Sequence, residues 1–282
     1  MESRFTCQGL ATFLAVFLAT AAFGPIGQLR GQEHRGSRSG ENAEISVLPR
    51  ESTLIGRRAT QQLIATGKAA DGSVVDLTRC ALWTSSNEQV AVVSASGRVT
   101  PVGDGTAVIV ARNSLSASAT VIVEGMKTPR SVSFRREVIP ALSQAGCNTG
   151  ACHGTPTGKG GFRLSLRGYL PDQDFAVLSR ESGGRRINRL AADTSLLLRK
   201  PLGQVPHEGG MRLATRSKSY EFIHDWIQEG AKDDPGAPLV LGLEILPESR
   251  ALNAPATTQQ LVVRVHCPDK TVRDVTPICY YD

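Results

Sequence analysis

Apolar residues recur at every second position in short runs from about Ile45 onward, the period of a strand with one face buried. Gln61 to Thr66 leads into the turn pair Asp71-Gly72, and Val74 to Leu77 follows. Next come Leu82 to Ser85, Val90 to Val93, the turn Ser96-Gly97, and Arg98 to Thr100. Gly103-Asp104-Gly105 precedes Thr106 to Ala111, and Ala117 to Val123 closes the unit. About seven short strands at this turn spacing, around Trp83 as a core residue, predict a β-sandwich.

After Ser131 the period changes. Phe134, Val138, Ile139 and Leu142 fit one face of a helix running into Cys147, which Pro140 must kink or shorten. A Gly/Thr-rich loop, 154–161, gives way to Phe162-Arg163-Leu164-Ser165-Leu166, which alternates like a strand. Ser195 to Lys200 reads as a short helix ended by Pro201. The plainest helix is Ser217 to Glu229: Ser217 caps it, Phe222, Ile223, Trp226 and Ile227 make one apolar stripe, and Gly230 stops it.

The chain end repeats its beginning. Val47-Leu48-Pro49 recurs as Ile245-Leu246-Pro247, Thr60-Gln61-Gln62-Leu63 as Thr258-Gln259-Gln260-Leu261, and Asp76-Leu77-Thr78 as Asp274-Val275-Thr276. Each match lies 198 residues further on, with no gap. Residues 240–282 therefore read as the start of a second β unit, stopping at the strand that matches Trp83. Half a sandwich cannot bury its faces, so the expectation is a truncated piece of a longer protein with a poorly packed, aggregation-prone tail.

Composition narrows the class. Forty per cent apolar and 21% charged residues over 282 positions suit about two globular domains, and 28 glycines with 15 prolines suit turn-rich ones. The net charge of +6 is scattered over Arg135, Arg136, Arg163, Arg167, Arg185 and Arg186, without interleaved stacking aromatics, which argues against nucleic acid as a partner. Arg4 followed by an apolar run from Leu10 to Phe23 predicts a signal peptide over 1–23, with an uncleaved anchor as the alternative. About 14 apolar residues are short for a membrane span, and no later segment could make one. Residues 24–43 read as a linker. Export to the periplasm, the cell surface or the medium follows.

The chemistry concentrates in Cys147-Asn-Thr-Gly-Ala-Cys152-His153-Gly154. Two thiols with a histidine directly after the second is how c-type haem is attached: the sulfurs bond the vinyl groups and the histidine ligates iron. Four residues separate the cysteines where two are usual. A disulfide between Cys147 and Cys152 is the plainer alternative, and a zinc or iron site using Cys147, Cys152, His153 and His207 is a third. Cys80 reads as a small buried hydrophobe, Cys267 and Cys279 as an open pairing question, His224 as structural, and Trp83 and Trp226 as core. No Ser-His-Asp set, carboxylate pair or phosphate loop stands out, so the chain reads as an electron carrier rather than a catalyst.

Two resemblances sharpen this. Asp71-Gly72, Asp76-x-Thr78, Trp83-Thr84-Ser85-Ser86-Asn87, Val93-x-x-x-Gly97 and Gly105-Thr106-Ala107, in that order, resemble the bacterial Ig-like group 2 domain over 44–124. Such domains are spacers or adhesive modules. Cys147…Cys152-His153-Gly154, Pro206-His207-Glu208-Gly209-Gly210 and Trp226-Ile227-x-x-Gly230-Ala231 resemble planctomycete-type cytochrome c-like domains over 131–234. The resemblance implies a mainly α haem domain and His153 as proximal iron ligand. Val205 occupies the place where such cytochromes often carry the methionine ligand, which leaves His207, Met211 or an open position for the sixth ligand. Met211 would raise the reduction potential, and a second histidine would lower it.

The expected architecture is thus multidomain: an all-β Ig-like sandwich, a mainly α cytochrome c-like domain, and an incomplete second Ig-like domain. Haem c held by Cys147 and Cys152 would pass electrons to a redox partner protein or to downstream domains of a longer polypeptide. Phe162, Leu166 and Trp226 would line its pocket, and an extracellular ligand of the Ig-like domain is a further expected partner. The competing reading is a non-redox cell-surface structural or adhesion protein whose cytochrome-like domain holds a disulfide and no haem.

Overall fold

The structure is a computed structural model and describes residues 42–128, 130–237, 240–252 and 258–281. The expected signal peptide and most of the linker lie outside the described residues.

The first unit is built from ten strands: β1 (Asn42–Leu48), β2 (Glu51–Ile55), β3 (Gln61–Gln62), β4 (Ile64–Ala69), β5 (Val74–Asp76), β6 (Leu82–Ser85), β7 (Ala91–Val93), β8 (Arg98–Pro101), β9 (Gly105–Arg112) and β10 (Ser116–Glu124). They form sheets ordered β1-β4-β5, β2-β10-β9-β6 and β3-β8-β7. Only β2 runs parallel to its neighbour, β10, with Thr53 opposite Ile122. The alternating pattern puts Val47, Leu63, Trp83, Ile109 and Val121 into one core. Trp83 is also fixed by polarity, its Nε1 donating to the Thr78 carbonyl at 2.8 Å. Strand β2 is not evident in the sequence, because only Leu54 of its two buried positions is apolar; the other is Ser52.

A second, helical unit follows. A π turn at Phe134–Val138 passes directly into α1 (Ile139–Gln144), so Pro140 lies inside one helical run, just past the point where its register changes from π to α. Then come α2 (Pro171–Ser179), α3 (Leu196–Arg199) and α4 (Lys218–Gln228). Ser217 accepts from the Tyr220 amide and caps α4 as the sequence indicates. Trp226 lies against Phe134 with ring centroids 5.1 Å apart, and Phe175 meets Phe134 edge-on. These rings form the middle of an apolar core that includes Leu142, Leu164, Leu178, Leu198 and Ile223. The two ends of the unit are tied together: Glu229 accepts from the Val132 amide at 2.8 Å, and Asp234 takes the Ser133 hydroxyl.

The expected strand at Phe162–Leu166 is not formed. Its polar groups are used locally instead: Leu164 N donates to the His153 carbonyl at 2.7 Å, and Ser165 gives both N and Oγ to Asp174 at 2.6 Å. Asp174 is fully buried, and burial pushes its carboxyl above the usual range although both bonds from Ser165 pull it down. Helix α2, which carries Asp174, was missed because its apolar positions make a weak stripe.

The last described strands, β11 (Gly242–Leu246), β12 (Val262–His266) and β13 (Val272–Asp274), form one antiparallel sheet. Its bonds copy the first unit at the same offset. Ala65 N to Thr78 Oγ1 returns as Val263 N to Thr276 Oγ1, and Trp83 Nε1 to Thr78 O returns as Tyr281 Oη to Thr276 O. The tail is better packed than expected on one side: Val262, Val263, Val265 and Cys267 are buried, and Ile278 joins the helical core. The other side is not. Val47 is 2% exposed, whereas its counterpart Ile245 is 49% exposed.

Candidate functional site

The Cys147–Gly154 segment folds into a closed loop at the end of α1. Cys147 N donates to the Leu142 carbonyl, Cys152 N to Thr149 O at 3.0 Å, and His153 N returns to the Cys147 carbonyl at 2.9 Å. The four intervening residues are thereby taken up as an internal turn, which brings His153 back against Cys147. Gly154 is needed where the loop closes, since a Cβ there would stand 2.4 Å from the Asn148 carbonyl oxygen. Asn148 is 1% exposed and holds the Ser143 hydroxyl through Nδ2, while its Oδ1 is buried without a partner.

Cys147 and Cys152 are both free thiols. Cys147 packs on the helical core, and burial pushes its thiol up to about 12; nearby Cys152 adds to the rise and Arg212 opposes it. A disulfide between the pair, the plainer expectation, is not formed.

His153 is half-buried against Phe162, with ring centroids 4.4 Å apart. Its Nδ1 lies 2.9 Å from the Phe162 carbonyl, which assigns the proton to Nδ1 and leaves the lone pair on Nε2. Burial holds its pKa below the ordinary imidazole value, with His207 pushing the same way and the Phe162 and Lys159 carbonyls opposing. The ring is therefore neutral, the form that ligates a metal.

Opposite it stands His207. Its Nδ1 lies 2.8 Å from the Gly210 carbonyl, so this ring too is tied through Nδ1. The two imidazole planes are 16° from parallel with centroids 6.4 Å apart. Gly209 leaves room for the ring, since a Cβ there would be 2.9 Å from His207 Cε1. Ion pairing of Lys159 with Glu208 at 3.2 Å links the two loops.

The other residues singled out in the sequence lie as follows. Met211 is 74% exposed. Leu166 is 55% exposed and Trp226 belongs to the helical core, so of the three pocket residues expected only Phe162 touches His153. Cys80 is exposed and its sulfur is in a disulfide, so it is no buried hydrophobe. Cys267 and Cys279 are free. Among the described residues no group of three or more His, Cys, Asp or Glu side chains is placed to hold a metal ion, which removes the four-ligand zinc or iron site. His224 is structural, flanked by Asp225 at 3.0 Å and Asp193 at 3.5 Å.

Two cavities lie at seams between units rather than at these rings. One, of about 800 Å³, runs between α1, the open face of β11–β13 and Leu54 and Ile55 of β2; the other, of about 590 Å³, adjoins Arg58, Met126 and Glu229. Among the described residues no helix is long and apolar enough to cross a membrane. No curated protein matches this chain. Residues 80–114 match the intimin immunoglobulin-like domain, and with the sandwich they occupy this establishes an Ig-like domain in the chain.

Proposed function

We propose that the chain is an exported electron carrier whose helical unit binds haem c, flanked by Ig-like modules of the group 2 kind that act as spacers or adhesive elements. The observation that carries this reading is the His153–His207 pair: near-parallel rings 6.4 Å apart, each tied by Nδ1 to a backbone carbonyl. Such second bonds fix the tautomer and the ring orientation of metal-bound histidines. Cys147 and Cys152 would carry the thioether bonds, His153 would be the proximal ligand, and His207, half-buried and tethered, suits the opposite position better than exposed Met211. The group, when bound, supplies one-electron redox chemistry. Phe162 packs against His153, and Arg186, with its guanidinium 4.5 Å over the Phe162 ring, backs that contact. Transfer needs only an exposed edge near a redox partner protein or a further domain of the same polypeptide, so no catalytic residue is invoked.

A second reading, a non-redox surface module, draws on the Cys147 thiol, which burial makes a poor nucleophile. The visible spectrum decides between the two. The mature chain, made in a host that attaches haem, should keep its colour through acid-acetone extraction and lose it in Cys147→Ala/Cys152→Ala. Replacement of His207 by Ala should then convert a low-spin spectrum to a high-spin one. A colourless product would overturn the haem reading in favour of the second.

A further inference from the structure

The two β units meet through a reciprocal pair of bonds. Asp274 Oδ2 accepts from the Gln62 amide at 2.5 Å, and Asp76 Oδ2 accepts from the Gln260 amide at 2.5 Å. Gln260 and Asp274 are the counterparts of Gln62 and Asp76, so the contact maps onto itself when the units are exchanged. Each carboxylate also divides its work in the same way. Asp76 Oδ1 takes the Thr78 amide of its own turn at 2.8 Å, and Asp274 Oδ1 takes the Thr276 amide at 2.8 Å. One oxygen caps the home turn, and the other reaches across.

Chemistry explains why this edge needs a partner. Gln62 belongs to β3, a two-residue strand whose neighbour is β8 on one side only, and its own side chain is spent on the Leu63 and Ser96 carbonyls. An unpaired strand-edge N–H is an open site for association. Thr60, Gln61 and Gln62 are nonetheless buried, polar as they are, because β13 packs beside β2 and β3. A contact in which the same patch serves both sides is isologous, and such a contact closes on itself after two units.

We infer that the Gln62–Asp76 edge is a recognition surface for a second unit of its own kind, and that within this chain it takes the unit formed by β11–β13. The Thr-Gln-Gln-Leu and Asp-x-Thr segments are its two halves. Donor and acceptor are both used once the pair forms, so the units make a closed clamp rather than links in an open string. The helical unit, inserted between them in sequence, is then held at both ends. This goes beyond a spacer role and does not depend on haem.

Residue-resolved amide hydrogen exchange on the full chain tests it. Gln62 and Gln260 should both be slow in the wild type. Asp274→Asn keeps the Oδ1 acceptor for Thr276 but removes the one facing Gln62; it should speed exchange at Gln62 by about tenfold or more and leave Thr276 protected. Asp76→Asn should do the same to Gln260 and spare Thr78. This crosswise pattern is the expected result. Fast exchange at Gln62 and Gln260 in the wild type, or loss confined to the mutated unit, overturns the clamp. So does Gln62 protection that falls on dilution, which would put the partner on a second copy. Should an Asn variant unfold its unit, seen as loss at Thr78 or Thr276, the wild-type rates and their concentration dependence still decide.

Discussion

Arg58 of the sandwich and Asp225 of α4 form an ion pair at 2.7 Å, and the same guanidinium reaches Glu229 at 2.5 Å and the Arg130 carbonyl at 2.7 Å. One side chain thus fastens the Ig-like domain to the last turn of the helical unit. Burial raises the Asp225 carboxyl, but the bonds from His224 and Arg58 outweigh it and the net pKa lies below the usual value. A depressed acid stabilises the fold above its unfolded pKa and loses that contribution as pH falls through the folded one. The attachment should therefore hold at neutral pH and weaken below about pH 4. Arg58→Met should cost about 1–2 kcal/mol by denaturant titration and flatten that acid limb. An unchanged limb would mean that the pair contributes nothing.

The His153 ring gives a second pH signature. Its depressed pKa means that folding favours the neutral form, so stability is fully present above the ordinary imidazole value and declines as pH falls below it. Proton NMR of the haem-free chain should find His153 titrating below about 6.5. Replacing His207 by Ala removes one depressing influence and should move the value up. A His153 that titrates at or above the free value would contradict the burial described for it.

Much of this was legible in the sequence, and the failures have causes. Strands β6 to β10 were evident because turn glycines and alternating apolar residues mark both their ends and their inner face. Helix α4 was evident because Ser217, the Phe222–Ile227 stripe and Gly230 agree. The segment Phe162–Leu166 misled because alternation says only that one side is buried, not that a neighbouring strand exists. Pairing of His153 with His207 could be guessed from residue type, but the carbonyls of Phe162 and Gly210 that orient them come from backbone geometry, which leaves no mark on composition. Inter-unit bonds such as Arg58–Asp225 join residues far apart in sequence and carry no local signal at all.

Gly154 offers a sharp steric test of the loop. A Cβ would meet the Asn148 carbonyl oxygen at 2.4 Å and the Thr149 oxygen at 2.8 Å, both backbone atoms that cannot swing away. Gly154→Ala should cost about 1–3 kcal/mol, the usual range for forcing extra volume into packed structure. It should also displace His153, visible as a changed chemical shift for its ring. Gly150→Ala, with nothing within 4 Å, is the matched control and should be neutral.

Asp174 tests the irregular segment that replaced the expected strand. It is fully buried, and without its carboxylate both the Ser165 amide and the Ser165 hydroxyl lose their acceptor. Asp174→Ala should therefore cost about 1–3 kcal/mol per stranded group, at the upper end because burial denies water access. Asp174→Asn keeps an oxygen for the amide and can turn its NH2 toward the hydroxyl, so it should lose much less. Burial also raises the carboxyl's pKa, which gives the opposite sign to Asp225: its contribution is present at low pH and is lost as pH rises through the folded value. Asp174→Asn should accordingly gain on the wild type at neutral pH relative to pH 4, when stability is measured at both by urea titration. Equal losses for Ala and Asn would mean that the hydrogen bonds do not hold the segment, and that packing of Leu164 alone does.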